Sequence, residues 1–192
     1  MQHLTVCREL IFTQEMEILR RECFPGSYPS GSSQEPFDYT STHVCIRIDE
    51  ELAAYIRLTG GPDAVYKTWS NGTAPVPSGK NCADLTRCFV NRKFRKLGLM
   101  TLVCLEGLVA ASEHGFEFAI GSVLPGMPFQ KQLEQLGMLP TGPLFDELEP
   151  SGDVFRVQPI VCEIARWRDS WPSIREDQLS ILHQKGLILA TR

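Results

Sequence analysis

Between Ala83 and Gly115 the sequence changes from a strand pattern to a basic turn and then to an apolar helix, and this segment restricts the fold most. The strand pattern ends at Val90, and four basic residues follow within the next six positions. An apolar helix is then predicted from Gly98 to His114, and Gly115 is a typical helix terminator. A strand that leads through a short turn into an apolar helix is typical of layered α/β domains.

The rest of the chain supplies further strands and helices around this unit. Strands are predicted at Val6–Phe12, His43–Ile48, Leu52–Leu58, Phe116–Val123, Leu139–Phe145 and Val154–Ile164, and helices at Thr13–Phe24, Phe129–Leu136 and Ser170–Gly186. Asp49–Glu51 joins two of these strands as a hairpin. Because strands alternate with helices after this hairpin, we predict one α/β domain over residues 1–192. Its mixed central sheet is flanked by helices, with a helix at the C-terminus.

Composition excludes several classes of function. A net charge of −4 offers no overall positive field for nucleic acid. Apolar runs such as Leu97–Leu105 are shorter than the roughly 18 residues of a membrane span, and the first residues do not resemble a signal peptide. Seven cysteines without a C-x-x-C pair argue against structural zinc. Their odd number is typical of a reducing compartment, so we expect the cytoplasm.

The hexapeptide at residues 95–100, RKLGLM, resembles a phosphate-binding helix N-terminus. The first N–H groups of a helix have no partner inside the helix, and the helix dipole places partial positive charge there. Gly98 would let a phosphate approach the backbone closely, while Arg92, Lys93, Arg95 and Lys96 would supply countercharge. An ordinary solvated basic turn has the same composition, so that alternative stays open.

This context resembles the GNAT acyltransferase superfamily, whose cofactor loop reads R/Q-x-x-G-x-G/A at the same strand-to-helix junction. Arg95 and Gly98 match the loop, while Met100 stands in place of its final small residue. The resemblance implies a GNAT-like fold and a phosphopantetheine thioester as donor, either acyl-CoA or an acylated acyl carrier protein (acyl-ACP), without a metal. Met100 weakens the match to a close acetyl-CoA fit and leaves open a looser grip on a carrier-protein arm.

Within this superfamily the chain is most similar to acyl-homoserine-lactone synthases and long-chain N-acyl amino acid synthases. Their motifs are R-x-x-x-F on the first helix, D-x-x-D, a lone arginine, and E-x-S-R on the fourth strand. The matching residues here are Arg20, Phe24, Asp38, Arg57, Asp84, Thr86 and Arg87. Ser41 replaces the second acid, and Pro29–Gly31 stand where the lactone synthases have a tryptophan. Both departures argue against S-adenosylmethionine as the acceptor.

The resemblance implies a catalytic role for three of these residues. Asp84 is predicted to accept the amine proton through water, and Thr86 to orient water or the acceptor. Arg87 is predicted to hold Asp84, or another acid such as Asp38, in place. Each of the three also fits a purely structural role, so both interpretations stay open.

The remaining site residues are implied in the same way. Backbone N–H groups around Phe89 and Val90 are expected to polarise the thioester carbonyl at an interrupted strand. The carrier is expected at Phe89, Val90, Arg92, Arg95, Lys96, Leu97, Gly98, Leu99 and Met100. Substrates are expected at Arg20, Phe24, Asp38, Arg57, Met127, Phe129 and Leu133. Leu133 stands where catalytic GNAT proteins often have a tyrosine that protonates the departing thiolate.

Together these features predict an N-acyltransferase that moves an acyl group, in our interpretation a fatty acyl group, from acyl-ACP or acyl-CoA to an amine. The acceptor would be a small molecule, an amino acid, a polyamine or a peptide. Two alternatives stay open: an acyl-homoserine-lactone synthase that uses S-adenosylmethionine, and a catalytically inactive GNAT-fold module that binds an acyl carrier or a partner protein.

Overall fold

The computed structural model describes residues 2–23, 33–61, 80–148 and 152–190, and a mixed β-sheet forms its centre. The strands in these ranges are β1 (Gln2–Glu9), β2 (Thr42–Ile48), β3 (Glu51–Gly60), β4 (Cys82–Val90), β5 (Phe118–Val123), β6 (Leu139–Pro140), β7 (Phe145–Leu148), β8 (Val154–Glu163) and β9 (Leu187–Leu189). The helices are α1 (Gln14–Cys23), α2 (Leu99–Glu113), α3 (Gln130–Gln135), α4 (Ile164–Trp167) and α5 (Trp171–Gln184), with short 3-10 turns at Pro36–Tyr39, Arg92–Phe94 and Arg168–Ser170.

Strand directions in the sheet are mixed, as predicted. The spatial order is β6-β8-β5-β4-β3-β2-β1-β9, and β7 pairs with β8 beside this path. Neighbours are antiparallel except for β4 with β5 and β1 with β9, which are parallel. The β2–β3 hairpin turns at Asp49 and Glu50, whose φ angles of 46° and 71° are typical of a tight two-residue turn. The predicted hairpin is therefore confirmed.

Helix α2 covers one face of the sheet. It packs against β2 to β5 on one side and against α5 on the other, so 11 of its 15 residues are buried. The buried carboxylate of Glu106 on this helix is compensated by Arg175 of α5, whose Nε lies 2.6 Å from Glu106 Oε1. Among the helices that the structure describes, none has the length and apolarity needed to cross a bilayer.

Helix α1 covers the opposite face. Thr13 Oγ1 accepts a hydrogen bond from the backbone N–H of Met16 at 3.4 Å, which confirms the predicted N-cap. Met16 and Leu19 recur at helical spacing and pack with Tyr55 and Phe89 of the sheet in a second hydrophobic cluster. The sheet therefore has a large apolar core on the face covered by α2 and a smaller one on the face covered by α1.

Strands β4 and β5 separate soon after they meet. Their parallel pairing consists of Cys82 with Phe118, Ala83 with Ala119, and Asp84 with Ile120. Just beyond these pairs, Gly121 lies so close to β4 that a Cβ there would be 2.9 Å from the backbone oxygen of Leu85. From that point the strands diverge, and the sheet opens beside the start of α2.

Two sequence-based element boundaries are wrong. The first strand lies at Gln2–Glu9 rather than at Val6–Phe12, because its pairing with β2 ends at Glu9. Of the predicted strand Leu139–Phe145, only Leu139–Pro140 form β6, and the next strand, β7, begins at Phe145 and continues to Leu148. Between them Gly142 has a φ angle of 62°, and the following Pro143 has no N–H group to donate to a ladder.

The C-terminal region also differs from the prediction. Helix begins at Ile164 rather than near Ser170, and it passes through the 3-10 turn into α5. Ser170 does not cap α5, since its Oγ donates to the carbonyl of Trp167 at 2.7 Å. No sequence pattern predicts β9, which pairs with Gln2–Leu4 of β1 in parallel and therefore depends on a partner 185 positions away.

We expect Gly121→Ala to lower the free energy of unfolding by about 1–3 kcal/mol, because its Cβ would press on a backbone oxygen that cannot move independently. Gly107→Ala on α2 is the matched control. Its Cβ would meet only the side-chain tips of Ile56 and Leu85 at 3.2 Å, and alanine favours the helix. Urea unfolding of both variants checks this, and an equal loss in both would contradict the close approach of β4 and β5.

Candidate active site

A cavity of about 730 Å³ occupies the gap between β4 and β5. Its volume lies within the range of pockets that enclose small-molecule ligands. Apolar side chains from the sheet, α2 and the α3 region form most of its wall, including Ile56, Leu85, Leu108, Val123, Phe129, Leu133, Met138 and Ile160. The cavity reaches from the turn before α2 into the interior of the sheet.

Strand β4 is interrupted at the edge of this cavity. Thr86 pairs with Arg57 and Phe89 pairs with Tyr55, so Arg87 and Cys88 together oppose the single residue Ile56. Arg87 has a φ angle of 53°, which is uncommon outside glycine. This arrangement is a β-bulge, a feature that redirects side chains and ends regular pairing. The interruption that the family resemblance implies is thus present, while the role of the Phe89 and Val90 amides stays a prediction.

The turn before α2 forms one end of the cavity. Lys96 and Gly98 have φ angles of 67° and 100°, and Gly98 is the N-cap of the helix. Leu99, Met100 and Thr101 of the first helical turn line the cavity, and N–H groups at such positions lack partners within the helix. The exposed Arg95 and Lys96 line the same end. This end of the cavity combines helix N–H groups with two cations.

The rear of this turn is held by the C-terminal region. Lys185 Nζ donates to the carbonyl oxygens of Lys96 and Leu97 at 2.9 and 3.1 Å. These contacts orient the carbonyls toward Lys185. Sequence reasoning missed Lys185, because it follows the turn by 89 positions and carries no motif.

A buried ion network lies on the α1 face beside the bulge. Arg20 makes two hydrogen bonds to Asp38, at 2.8 and 2.9 Å, and both side chains are fully buried. Arg57 Nη1 lies 3.1 Å from Asp38 Oδ1 and 2.7 Å from Glu35 Oε2. Arg87 Nη2 contacts Glu35 Oε1 at 2.8 Å. Glu35 therefore connects the bulge to the Arg20–Asp38 pair.

Neutral polar groups complete this network. Arg20 also donates to the backbone oxygen of Ser33 at 2.6 Å and to the hydroxyl of Tyr55 at 3.0 Å. His43 bridges the Tyr55 hydroxyl and the carbonyl of Asp38, at 3.1 and 3.0 Å. Burial lowers the pKa of His43, so the imidazole is neutral at pH 7. The network thus fixes the 3-10 turn at residues 36–39 against the sheet.

The arginines control the ionisation of the two carboxylates. Burial acts to raise the pKa of Asp38, but the hydrogen bonds and charge of Arg20 outweigh it and hold that pKa below its ordinary value. Burial also acts to raise the pKa of Glu35, and the charges of Arg87 and Arg57 together bring it below its ordinary value. Both acids are therefore ionised at neutral pH.

The structure gathers most of the sequence-predicted site residues around the cavity. Those that line it are Thr86, Arg87, Phe89, Val90, Arg95, Lys96, Gly98, Leu99, Met100, Met127, Phe129 and Leu133. Arg20, Asp38 and Arg57 lie in the buried network behind the bulge. Arg92 is exposed, and Leu97 packs against the main core. Phe24 lies outside the described residues.

Asp84 occupies a different position from the other predicted catalytic residues. It pairs with Thr59 and Ile120, is fully buried, and is not part of the cavity wall. Thr86 Oγ1 accepts a hydrogen bond from Arg57 Nε at 3.2 Å. Arg87 contacts Glu35, an acid that the motif comparison did not single out. The catalytic roles of Asp84, Thr86 and Arg87 stay predictions.

Two polar residues on the β5 and β7 side of the cavity were also missed by sequence reasoning. Ser122 Oγ donates a hydrogen bond to Glu147 Oε2 at 2.8 Å, and both residues line the cavity. Glu147 is on β7 and lies beyond the end of the predicted strand Leu139–Phe145. Only the pairing of β7 with β8 brings its carboxylate to β5.

The sequence and the fold resemble known acyltransferases. The model of the acetyltransferase (GNAT) family matches residues 13–128. No curated protein matches the sequence. Among solved structures, FeeM, an N-acyl amino acid synthase from uncultured soil microbes, aligns over 85% of this chain and 93% of its own, with 13% identity and a TM-score of 0.63.

Two further solved structures share this architecture. The AHL synthase LasI aligns over 85% of this chain and 90% of its own, with 14% identity and a TM-score of 0.62. An acyl-CoA N-acyltransferase from Pseudomonas aeruginosa aligns over 84% of this chain and 99% of its own, with 16% identity and a TM-score of 0.59. At these identities the likeness concerns the fold.

We expect Asp38→Asn to lower the free energy of unfolding at pH 7 by about 3–5 kcal/mol, because it leaves the buried Arg20 without its charged partner. Lys80→Ala, which breaks a solvent-exposed pair with Glu117, serves as the control and should have little effect. Urea unfolding measures both. A loss no greater than that of the control would contradict a tightly coupled buried pair.

The same variant should change the pH dependence of stability. The pKa of Asp38 is lower in the folded than in the unfolded chain, where it is about 4. Its stabilising contribution is therefore complete above about pH 4 and is lost as pH falls through the folded pKa. Unfolding free energies below pH 5 should fall less steeply for Asp38→Asn than for the wild type, and parallel curves would refute this assignment.

Proposed function

The chain belongs to the acetyltransferase (GNAT) family, as its cofactor-loop motif predicts, and we propose that it transfers a fatty acyl group from an acyl thioester carrier to an amine. The observation that carries this proposal is a continuous cavity of about 730 Å³ that joins the N-terminus of α2 to the apolar gap between β4 and β5. One end suits a phosphate, and the interior suits an acyl chain.

The carrier would bind at the turn before α2. Its pyrophosphate or phosphopantetheine phosphate would accept hydrogen bonds from the first N–H groups of the helix, with Arg95 and Lys96 as countercharges. The positive φ angle of Gly98 supports this placement, because it lets the backbone turn there without strain. Both acyl-CoA and acyl-ACP present this chemistry, and either would serve as the donor.

The acyl chain would occupy the apolar interior. The volume of about 730 Å³ includes the carrier end, and it falls in the range of roughly 300–1,000 Å³ that encloses whole small-molecule ligands. Met127, Phe129 and Leu133 contribute apolar wall near the end of β5. This apolar wall beyond the carrier end supports a fatty acyl group as the group transferred.

Acceptor amines would reach the thioester from the α1 face. The bulge at Arg87 places Thr86 and Arg87 on the cavity wall, and Glu35 links Arg87 to the buried network. Amides around Phe89 and Val90 are proposed to stabilise the oxyanion, and Asp84 stays the sequence-predicted proton acceptor. An amino acid, a polyamine or a peptide amine is the proposed acceptor, and the cytoplasm the proposed compartment.

Intact mass spectrometry of candidate amines incubated with the protein and a series of acyl-CoA and acyl-ACP thioesters tests the function. We expect an amide product whose yield is higher with long-chain than with acetyl donors. S-adenosylmethionine belongs in the amine panel, since the AHL synthase LasI shares this architecture. A lactone product would assign that rival activity. Carrier binding without any amide would instead indicate an inactive binding module.

We expect Arg95→Glu to weaken CoA binding about tenfold or more, because it replaces a charge-assisted contact by repulsion at the phosphate end of the cavity. Arg168→Glu makes the same charge change at an exposed residue outside the cavity wall and should leave the affinity unchanged. Isothermal titration with CoA measures both. Equal affinity in Arg95→Glu and wild type would place the phosphate elsewhere.

A further inference from the structure

Glu147 stands out in the chemistry of the cavity wall. Among the described residues that line the cavity, it is the only one with a carboxylate, while Arg87, Arg95 and Lys96 are cations. Amide formation from a thioester requires an amine to lose a proton, and a carboxylate is a suitable acceptor for it. Among the described residues, Glu147 is therefore the carboxylate on the cavity wall that could act as a base toward a bound amine.

The position of Glu147 relative to the diverging strands is defined by Ser122. Pairing of β4 with β5 ends at Ile120, so Ser122 lies two residues inside the separated part. Because side chains alternate along a strand, Ser122 points to the same face of the sheet as Asp84 and Thr86. Ser122 Oγ donates to Glu147 Oε2 at 2.8 Å, which holds the carboxylate at the α1 side of the gap.

The backbone around Glu147 supports a fixed position. On β7, Asp146 pairs with Arg156 and Glu147 pairs with Phe155 of β8, and β8 in turn pairs with β5 along six residues. Glu147 is half-buried, whereas Asp146 is exposed. By contrast, Asp84 is fully buried and does not line the cavity. Of these two acids, Glu147 is the one with direct access to a bound amine.

We infer that Glu147 is the proton acceptor for the amine, positioned by Ser122; this assignment rests on the proposed acyl transfer. The nitrogen lone pair of the neutral amine attacks the thioester carbonyl carbon, and a C–N bond forms. The N–H proton passes to the Glu147 carboxylate. The C–S bond breaks, the thiolate leaves with that electron pair and takes a proton from water, and Glu147 returns its proton to solvent.

The test compares Glu147→Gln with Asp146→Asn, the matched loss of the neighbouring exposed carboxylate. With alkyl amines as acceptors, kcat should fall about 100-fold or more in Glu147→Gln and stay unchanged in Asp146→Asn. Affinity for CoA should be the same in both. Hydroxylamine is a weak base, so its nitrogen becomes acidic enough after attack to release the N–H proton to water, and its acylation should persist in Glu147→Gln. Glu147→Asp should recover part of the alkyl-amine activity.

Ser122→Ala provides a second measurement that does not depend on Glu147→Gln folding well. Removing a hydrogen bond to the ionised carboxylate raises its pKa, so the acidic limb of the kcat/KM profile should move to higher pH. Unchanged alkyl-amine turnover in Glu147→Gln, or equal loss with both amine types, would overturn the assignment. Selective loss in Asp84→Asn instead would transfer the role to Asp84. If the wild type acylates no amine, the proposed function fails and this inference with it.

Discussion

The early separation of β4 from β5 is the constraint on which the rest of the site depends. Parallel pairing stops at Asp84 and Ile120. The next residue, Gly121, has no Cβ, and this lets β5 stay close to the backbone of Leu85 on β4 where the pairing ends. Beyond it the two strands no longer share hydrogen bonds, so the space between them becomes a cavity with apolar walls. Because β4 continues directly into the turn before α2, the helix N-terminus opens into the same cavity. The proposed carrier end and the apolar interior are thereby joined in one cavity.

The two faces of the sheet are built by different physical means. The α2 face is apolar and derives its stability from burial. The α1 face contains arginines and carboxylates that would be costly to bury alone, so each acid contacts two arginines. Such networks contribute geometry more than net stability, because desolvation offsets most of the ionic attraction. In this protein the network fixes the bulge, because Glu35 pairs with Arg87 and Arg57 donates a hydrogen bond to Thr86.

Local chemistry was predictable from the sequence. The Thr13 cap, the Asp49–Glu50 turn and the end of α2 before Gly115 follow from side-chain hydrogen bonding and from backbone preferences that act within a few residues. The turn at Gly98 was also predictable, since glycine and basic residues at a strand-to-helix junction are a local signal. The two main errors have different causes. The break between β6 and β7 follows from the local signal of Gly142 and Pro143, whereas the parallel strand β9 depends on pairing with β1, 185 positions away.

The sequence by itself determined the α/β class, the basic turn before α2 and the family, because periodicity, caps and short motifs depend on residues that are close together along the chain. Only the tertiary structure decided where each acid lies and what it contacts. It buried Asp84 between two strands, placed Glu35 against the bulge, and brought Glu147 from a short strand to the cavity wall. The physical reason is that the environment of a carboxylate depends on strand register and on neighbours from distant segments, and no local pattern of residues specifies either.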